Sequence, residues 1–218
     1  MPNISIISLF LIGYFHFFQP DATIMSLDYY NQHASAFAAS TLGVDMQPLY
    51  DHFLPLIAPG GHIVDAGCGS GRDSHFFKAA GFEVSAFDGS DQLAALASDY
   101  IGQPVAVCRF EQFHSDLPVD GIWACASLLH VPAADLQAVM GHLARQLKTG
   151  GHFYCSFKYG RGEVARDGRV FTQLDEAALA TLLGKLPLVA VEVWQTADLR
   201  PGRADERWLN AVLRAQHL

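Results

Sequence analysis

The sequence predicts an α/β fold: a seven-stranded, mostly parallel, doubly wound sheet with helices on both faces and an antiparallel hairpin at its C-terminal edge. Three observations predict it. Short β-branched runs alternate with amphipathic stretches along most of the chain. The first run ends in a loop with glycine at every second position, Asp65-Ala66-Gly67-Cys68-Gly69-Ser70-Gly71. The last two apolar runs are separated by Pro201-Gly202 with no helical stretch between them, which suits antiparallel pairing.

In order along the chain, 28–40 and 45–57 read as helices, the second capped by Asp45 and stopped by Pro59-Gly60-Gly61. Strand 62–66 leads through the glycines to a helix over 72–80 that ends at Gly81. Strand 83–87 ends at Asp88 and is followed by a helix over 91–100. Strands 104–109 and 121–126 precede a helix over 133–147, closed by Lys148-Thr149-Gly150-Gly151. Strand 152–157, a charged glycine-bearing loop, a helix over 175–183 and strands 189–194 and 207–213 complete the sheet.

The glycine loop carries the chemistry. Alternating glycines after a buried strand let the backbone turn sharply and let a ligand lie on the main chain, with a helix N-terminus aimed at it. A dinucleotide fingerprint would place its third glycine at position 72, where this chain has Arg72, and no Gly-Lys-Ser/Thr follows to make a phosphate loop. About 20 residues on, where a ribose-binding acid belongs, strand 83–87 delivers Asp88. Its carboxylate can accept from both ribose hydroxyls. The plainer reading is that Asp88 helps Ser90 cap the next helix.

Asp65-x-Gly67-x-Gly69-x-Gly71 resembles the first motif of the class I S-adenosylmethionine-dependent methyltransferases, whose fold is Rossmann-like. Further matches are Gly121-Ile122-Trp123-Ala124-Cys125-Ala126-Ser127, similar to the family's fourth-strand motif, and Lys148-Thr149-Gly150-Gly151, similar to the turn before its fifth strand. Tyr29-Tyr30-x-x-x-Ala34 resembles the opening of small-molecule enzymes related to the tellurite-resistance methyltransferases. The likeness covers about residues 28–215. It implies S-adenosyl-L-methionine as cofactor, held by Asp65, Gly67, Cys68, Gly69, Gly71, Asp88, Glu111, Ala126 and Ser127. It also implies that the helix bearing Tyr29 and Tyr30 covers that cofactor. The Asn/Asp-Pro-Pro-Tyr/Phe signature of amino-group methylation in DNA and protein glutamine is absent after the fourth strand, where Ala126-Ser127-Leu128-Leu129 stands.

Methyl transfer is an in-line displacement in which positioning supplies much of the rate, and a base is needed only if the acceptor must lose a proton. His130, just past the fourth strand, is the candidate base, with a satisfied loop histidine as the bland alternative. Tyr29 and Tyr30 complete the candidate catalytic group. Lys158, Arg169 and Arg203 together are candidate contacts to an anionic acceptor, though for each alone solvated surface is the first reading.

Composition bounds the rest. The 218 residues, half of them hydrophobic, suffice for one α/β core, and a net charge of −8 without any Lys/Arg run argues against a nucleic-acid partner. Ten scattered histidines lack metal-ligand spacing, and four cysteines without a C-x-x-C pair fit buried thiols in a reduced, cytoplasmic protein. Residues 4–18 are apolar but short for a membrane span and lack a basic lead. The expectation is a methyltransferase domain starting at Met25, with a short membrane anchor or cryptic signal as the rival reading of 1–24. The expected activity is methylation of a small molecule with no stable membrane association. A catalytically silent cofactor-binding domain is the alternative, and a nicotinamide oxidoreductase a weaker one.

Overall fold

In a computed structural model of the protein, residues 22–216 are described. The apolar stretch 4–18 lies outside them. Seven strands form one sheet in the order β3-β2-β1-β4-β5-β9-β8. They are β1 (His62–Ala66), β2 (Glu83–Asp88), β3 (Ala106–Val107), β4 (Val119–Ala124), β5 (Leu147–Lys158), β8 (Leu188–Ala197) and β9 (Arg207–Ala215). Pairing is parallel from β3 to β5, and antiparallel between β5, β9 and β8. The fold class and the edge hairpin are those the sequence predicts.

The central strands are buried on both faces, so they carry continuous apolar runs rather than an alternating pattern. Val64, Ile122, Phe153 and Leu213 belong to one core layer with Met140 and Leu143 of helix α5 (Leu136–Ala144). Ile63, Trp123 and Tyr154 form the other, with Phe53 of α2 (Gln47–Phe53) and Phe77 of α3 (Arg72–Ala79). Trp123 and Tyr154 stack at 3.9 Å. The remaining helices are α1 (Ala22–Thr41), α4 (Asp91–Ile101) and α6 (Glu176–Leu183).

Several boundaries differ from the sequence reading. Helix α1 starts at Ala22, before Met25, and has a non-helical kink at His33. Helix α2 stops at Phe53 because Pro55 cannot continue it, and a 3₁₀ turn takes over Leu54–Leu56. The cap residue is Met46, while Asp45 accepts from the Gln47 amide. Helix α5 covers only part of 133–147, and the expected strand 104–109 shrinks to two edge residues. The turn Lys148–Gly151 is a bulge inside β5 rather than a break before it, since Val119 pairs Leu147 and Gly121 pairs His152. Cys108 and Cys125 therefore lie just beyond strands rather than within them, and only Cys155 sits in one.

The largest departure is 158–175. The expected loop contains a two-stranded hairpin, β6 (Gly162–Arg166) and β7 (Arg169–Gln173). Its turn is Asp167-Gly168 with both φ values positive, +52° and +72°, the geometry that matches the twist of paired strands. An Asp-Gly pair between such runs is the signal that sequence reasoning passed over.

Candidate active site

The order of strands reverses at β1, which pairs with β2 on one side and with β4 on the other, so the chain runs outward in opposite directions from the β1–β4 seam. Open α/β sheets bind ligands in the crevice at the carboxyl ends of such strands. Two cavities occupy it here. One, of about 430 Å³, is lined by Asp88, Phe110, Glu111, Ser127 and Val131 among others. The second, of about 160 Å³, is lined by Asp65, Cys68, Arg72, Lys158, Arg169 and Arg203 among others. Tyr30, Phe37, Gly67, Gly69, Ala126 and His130 line both. Gly71 and Tyr29 line neither.

The loop after β1 is shaped by backbone that only glycine adopts freely. Gly67 has φ +73°, and a Cβ there would lie 2.6 Å from the Ser127 Cβ. At Gly71, φ +79°, a Cβ would meet Ile101 of α4 at 2.9 Å, so this glycine serves helix packing. The Gly67 and Cys68 amides both donate to the Phe87 carbonyl, which fastens the loop to the end of β2.

Asp88 is held at the tip of β2 by the Gly69 amide on one oxygen and the Ser90 amide on the other, each at 2.8 Å. Burial pushes its carboxyl up, and these amides oppose the rise. Ser90 itself caps α4, accepting from Leu93 at 3.1 Å. Each Asp88 oxygen keeps a lone pair for a further donor. Glu111 borders the same cavity, half exposed and paired with Arg109 at 2.8 Å.

Two buried carboxylates lie beneath the loop and differ in their donors. Asp73 takes Arg72 twice, at 2.6 and 2.9 Å, with Tyr50 at 2.6 Å and Trp123 at 2.8 Å. Against the burial that would raise it, Arg72 above all holds Asp73 ionised. Asp65 accepts only from Ser74 at 2.6 Å, and burial, with Asp73 alongside, pushes it up. Asp65 thus faces the smaller cavity with acceptor capacity in reserve.

The end of β4 is also strained. Ala126 sits at φ +51°, in a region alanine rarely visits, and its amide donates to Ser156 at 2.8 Å. Ser127 donates to the Ala66 carbonyl at 2.6 Å, bridging the ends of β4 and β1. Three residues later, His130 lies 3.1 Å from the Val170 carbonyl through Nδ1, which must therefore carry the proton. Its Nε2 accepts from the Tyr30 hydroxyl at 2.9 Å. Burial holds the imidazole neutral, down to about 4, and burial raises the Tyr30 phenol while nearby Arg169 opposes that rise. The ring nitrogen that a base would use is occupied, so the bare-imidazole role expected of His130 needs Tyr30 either to move or to relay.

The three expected acceptor contacts are not equivalent. Lys158 is ion-paired to Glu206, and Arg203 reaches the same carboxylate at 3.4 Å. Arg169 has only a distant and exposed partner, Asp167 at 3.9 Å, which Arg166 approaches more closely at 3.3 Å, and its guanidinium lies 4.1 Å over Tyr29. Tyr29 is sandwiched by His33, stacked at 4.3 Å, so it supports Arg169 rather than facing the crevice. Sequence reasoning missed Phe37, Phe110, Ser156 and Glu206, none of which lies in a recognisable motif.

The methyltransferase-domain family model matches residues 27–182. The chain belongs to that family. No curated protein matches it significantly. Among solved structures, this methyltransferase is similar to the Burkholderia thailandensis 1,6-didemethyltoxoflavin-N1-methyltransferase, crystallised with 1,6-didemethyltoxoflavin and S-adenosylhomocysteine. The two are 20% identical over 90% of this chain and 88% of that one, with a TM-score of 0.72. It is also similar to the Bradyrhizobium japonicum N-methyltransferase NodS, in complex with S-adenosylhomocysteine, at 18% identity over 90% and 100% of the chains and a TM-score of 0.67. A TehB-like S-adenosylmethionine-dependent methyltransferase of Corynebacterium glutamicum is 20% identical over 88% and 98%, with a TM-score of 0.64. At such identities the likeness concerns the fold. No helix among the described residues is long and apolar enough to cross a membrane.

Proposed function

We propose that this protein transfers a methyl group from S-adenosyl-L-methionine to a small, anionic acceptor. The observation that carries the reading is the meeting of two cavities at Tyr30, Gly67, Gly69, Ala126 and His130, at the sheet's switch point. One cavity offers Asp88 for a ribose and an aromatic and aliphatic wall of Phe110, Val131 and Leu93 for a base. The other offers Asp65 for an ammonium group and continues toward Arg169. The cofactor supplies an activated methyl group, so the chain has to bind, orient and exclude water. Arg72 fills the place of the third glycine of a dinucleotide loop and is committed to Asp73, which disfavours a nicotinamide cofactor.

A silent cofactor-binding domain would keep the larger cavity and the Asp65 end of the smaller one, and have no use for the part that continues toward Arg169. The smaller cavity here is lined by six cations, Arg72, Lys158, Arg166, Arg169, Arg200 and Arg203, against four carboxylates, Asp65, Asp73, Asp167 and Asp198, in a chain of net charge −8. That local excess favours a working acceptor site and an anionic acceptor. The four unpaired cysteines fit a reducing, cytoplasmic setting, which belongs to the same reading. The experiment is a screen of small acids, phenols and oxyanions with labelled cofactor. Label transfer to any of them supports the enzyme. Tight cofactor binding with no transfer across the screen supports the silent domain.

A further inference from the structure

The smaller cavity distinguishes among its own cations. Lys158, Arg166 and Arg203 converge on Glu206, with Arg166 also 3.3 Å from Asp167. Arg200 is paired with buried Asp198 at 2.5 and 2.9 Å. Arg169 stands apart. Its side chain is only 16% exposed, its Nε has no hydrogen-bond partner, and its nearest carboxylate is 3.9 Å away on a residue 62% exposed. A guanidinium with a donor left bare in a mostly enclosed place calls for an explanation, since enclosed polar groups are almost always paired.

The surroundings fix which part of Arg169 is available. Tyr29 covers it at 4.1 Å, with Phe171 at 5.2 Å and Tyr30 at 5.8 Å. Aromatic contact occupies the flat face of a guanidinium and leaves its edge of N–H donors; on that edge Arg169 also donates to the Tyr30 hydroxyl, while Nε has no partner. That edge matches a planar, two-oxygen acceptor. A phosphate dianion would call for a second uncommitted cation, and every other cation of the cavity already has a carboxylate. Arg169 also begins β7, whose next residue binds His130 through its carbonyl, so the anchor lies beside the Tyr30–His130 pair where the cavities meet.

Resting on the reading of this site as a methyltransferase centre, we infer that the acceptor is a small monocarboxylate whose carboxylate is gripped by Arg169. Lys158 and Arg203 shape the cavity through Glu206 and do not read the acceptor's charge. The methyl-accepting atom then belongs to a neighbouring group of the same molecule, because a carboxylate neutralised by a guanidinium is a weak nucleophile.

Calorimetric titration of acetate, benzoate, benzamide and inorganic phosphate into protein saturated with S-adenosylhomocysteine tests this. At least one carboxylate should bind, and benzoate should bind roughly tenfold or more tightly than benzamide. Both R169Q and R169K should lose that preference, since lysine keeps the charge and lacks the fork. Affinity for S-adenosylhomocysteine should stay the same in both variants. Binding of phosphate in preference to carboxylates, equal binding of benzamide, no binding of either carboxylate, or retention of the preference in R169Q would overturn the inference. Failure of S-adenosylhomocysteine to bind wild-type protein would instead overturn the methyltransferase reading beneath it.

Discussion

The two halves of the crevice are built by different rules. On the side proposed for the cofactor, the segment from β1 to α3 and the tip of β2 supply the loop and Asp88, whose carboxylate is positioned by backbone amides. On the side proposed for the acceptor, Tyr30, His130, Arg169 and Glu206 come from four separate parts of the chain and meet only after folding. A backbone-built site depends on conformations that few residues can adopt, so it tolerates little change. A site built from side chains is adjustable residue by residue, which suits a fold whose members act on different acceptors.

The contrast predicts where substitution hurts most. G67A combines a positive φ with a Cβ 2.6 Å from Ser127 and should abolish S-adenosylhomocysteine binding in calorimetry. G69A should do less, since its Cβ meets only the Phe37 ring, at 3.2 Å. Equal effects from the two would contradict the idea that Ser127 locks the loop.

A smaller effect separates the sides by pH. Wild-type His130 stays neutral down to about 4, whereas a histidine in the unfolded chain takes up its proton near 6.5. Between those values the unfolded state binds the extra proton, so stability falls as the pH drops. Because the ring borders a cavity, the loss between pH 7 and pH 4.5 should be about 2 kcal/mol more for wild type than for H130Q. Denaturant unfolding at several pH values measures it, and parallel profiles would show that the ring is not kept neutral. In turnover, H130A should cost roughly 10²–10⁴-fold if the acceptor must be deprotonated, and little if it arrives as a ready nucleophile.

The same contrast explains what the sequence disclosed. That Gly67, Gly69 and Asp88 would border the crevice was legible because a left-handed loop and a strand-end acid leave a recognisable spacing of residue types. Gly71 was assigned to the ligand from the same pattern, yet it faces Ile101, since alternating glycines do not say what each one faces. The β6–β7 hairpin was hidden because its outer strand is exposed throughout and carries no alternation, although Asp167-Gly168 marked its turn. That Lys158 is neutralised could not be read either, for Glu206 is 48 residues away in the chain. Charge counts reveal an excess of cations but not which one is left uncommitted.

In the proposed function, Asp88 and the glycine loop hold the nucleoside of S-adenosylmethionine. Titration of S-adenosylhomocysteine, with NAD⁺ alongside, into wild type and D88A tests it most directly. Expected are one site per chain in wild type, no competing NAD⁺ affinity, and a loss of about 1.5–3 kcal/mol in D88A from charge-assisted hydrogen bonds to the ribose. Affinity unchanged in D88A, or NAD⁺ binding more tightly than S-adenosylhomocysteine, would contradict it.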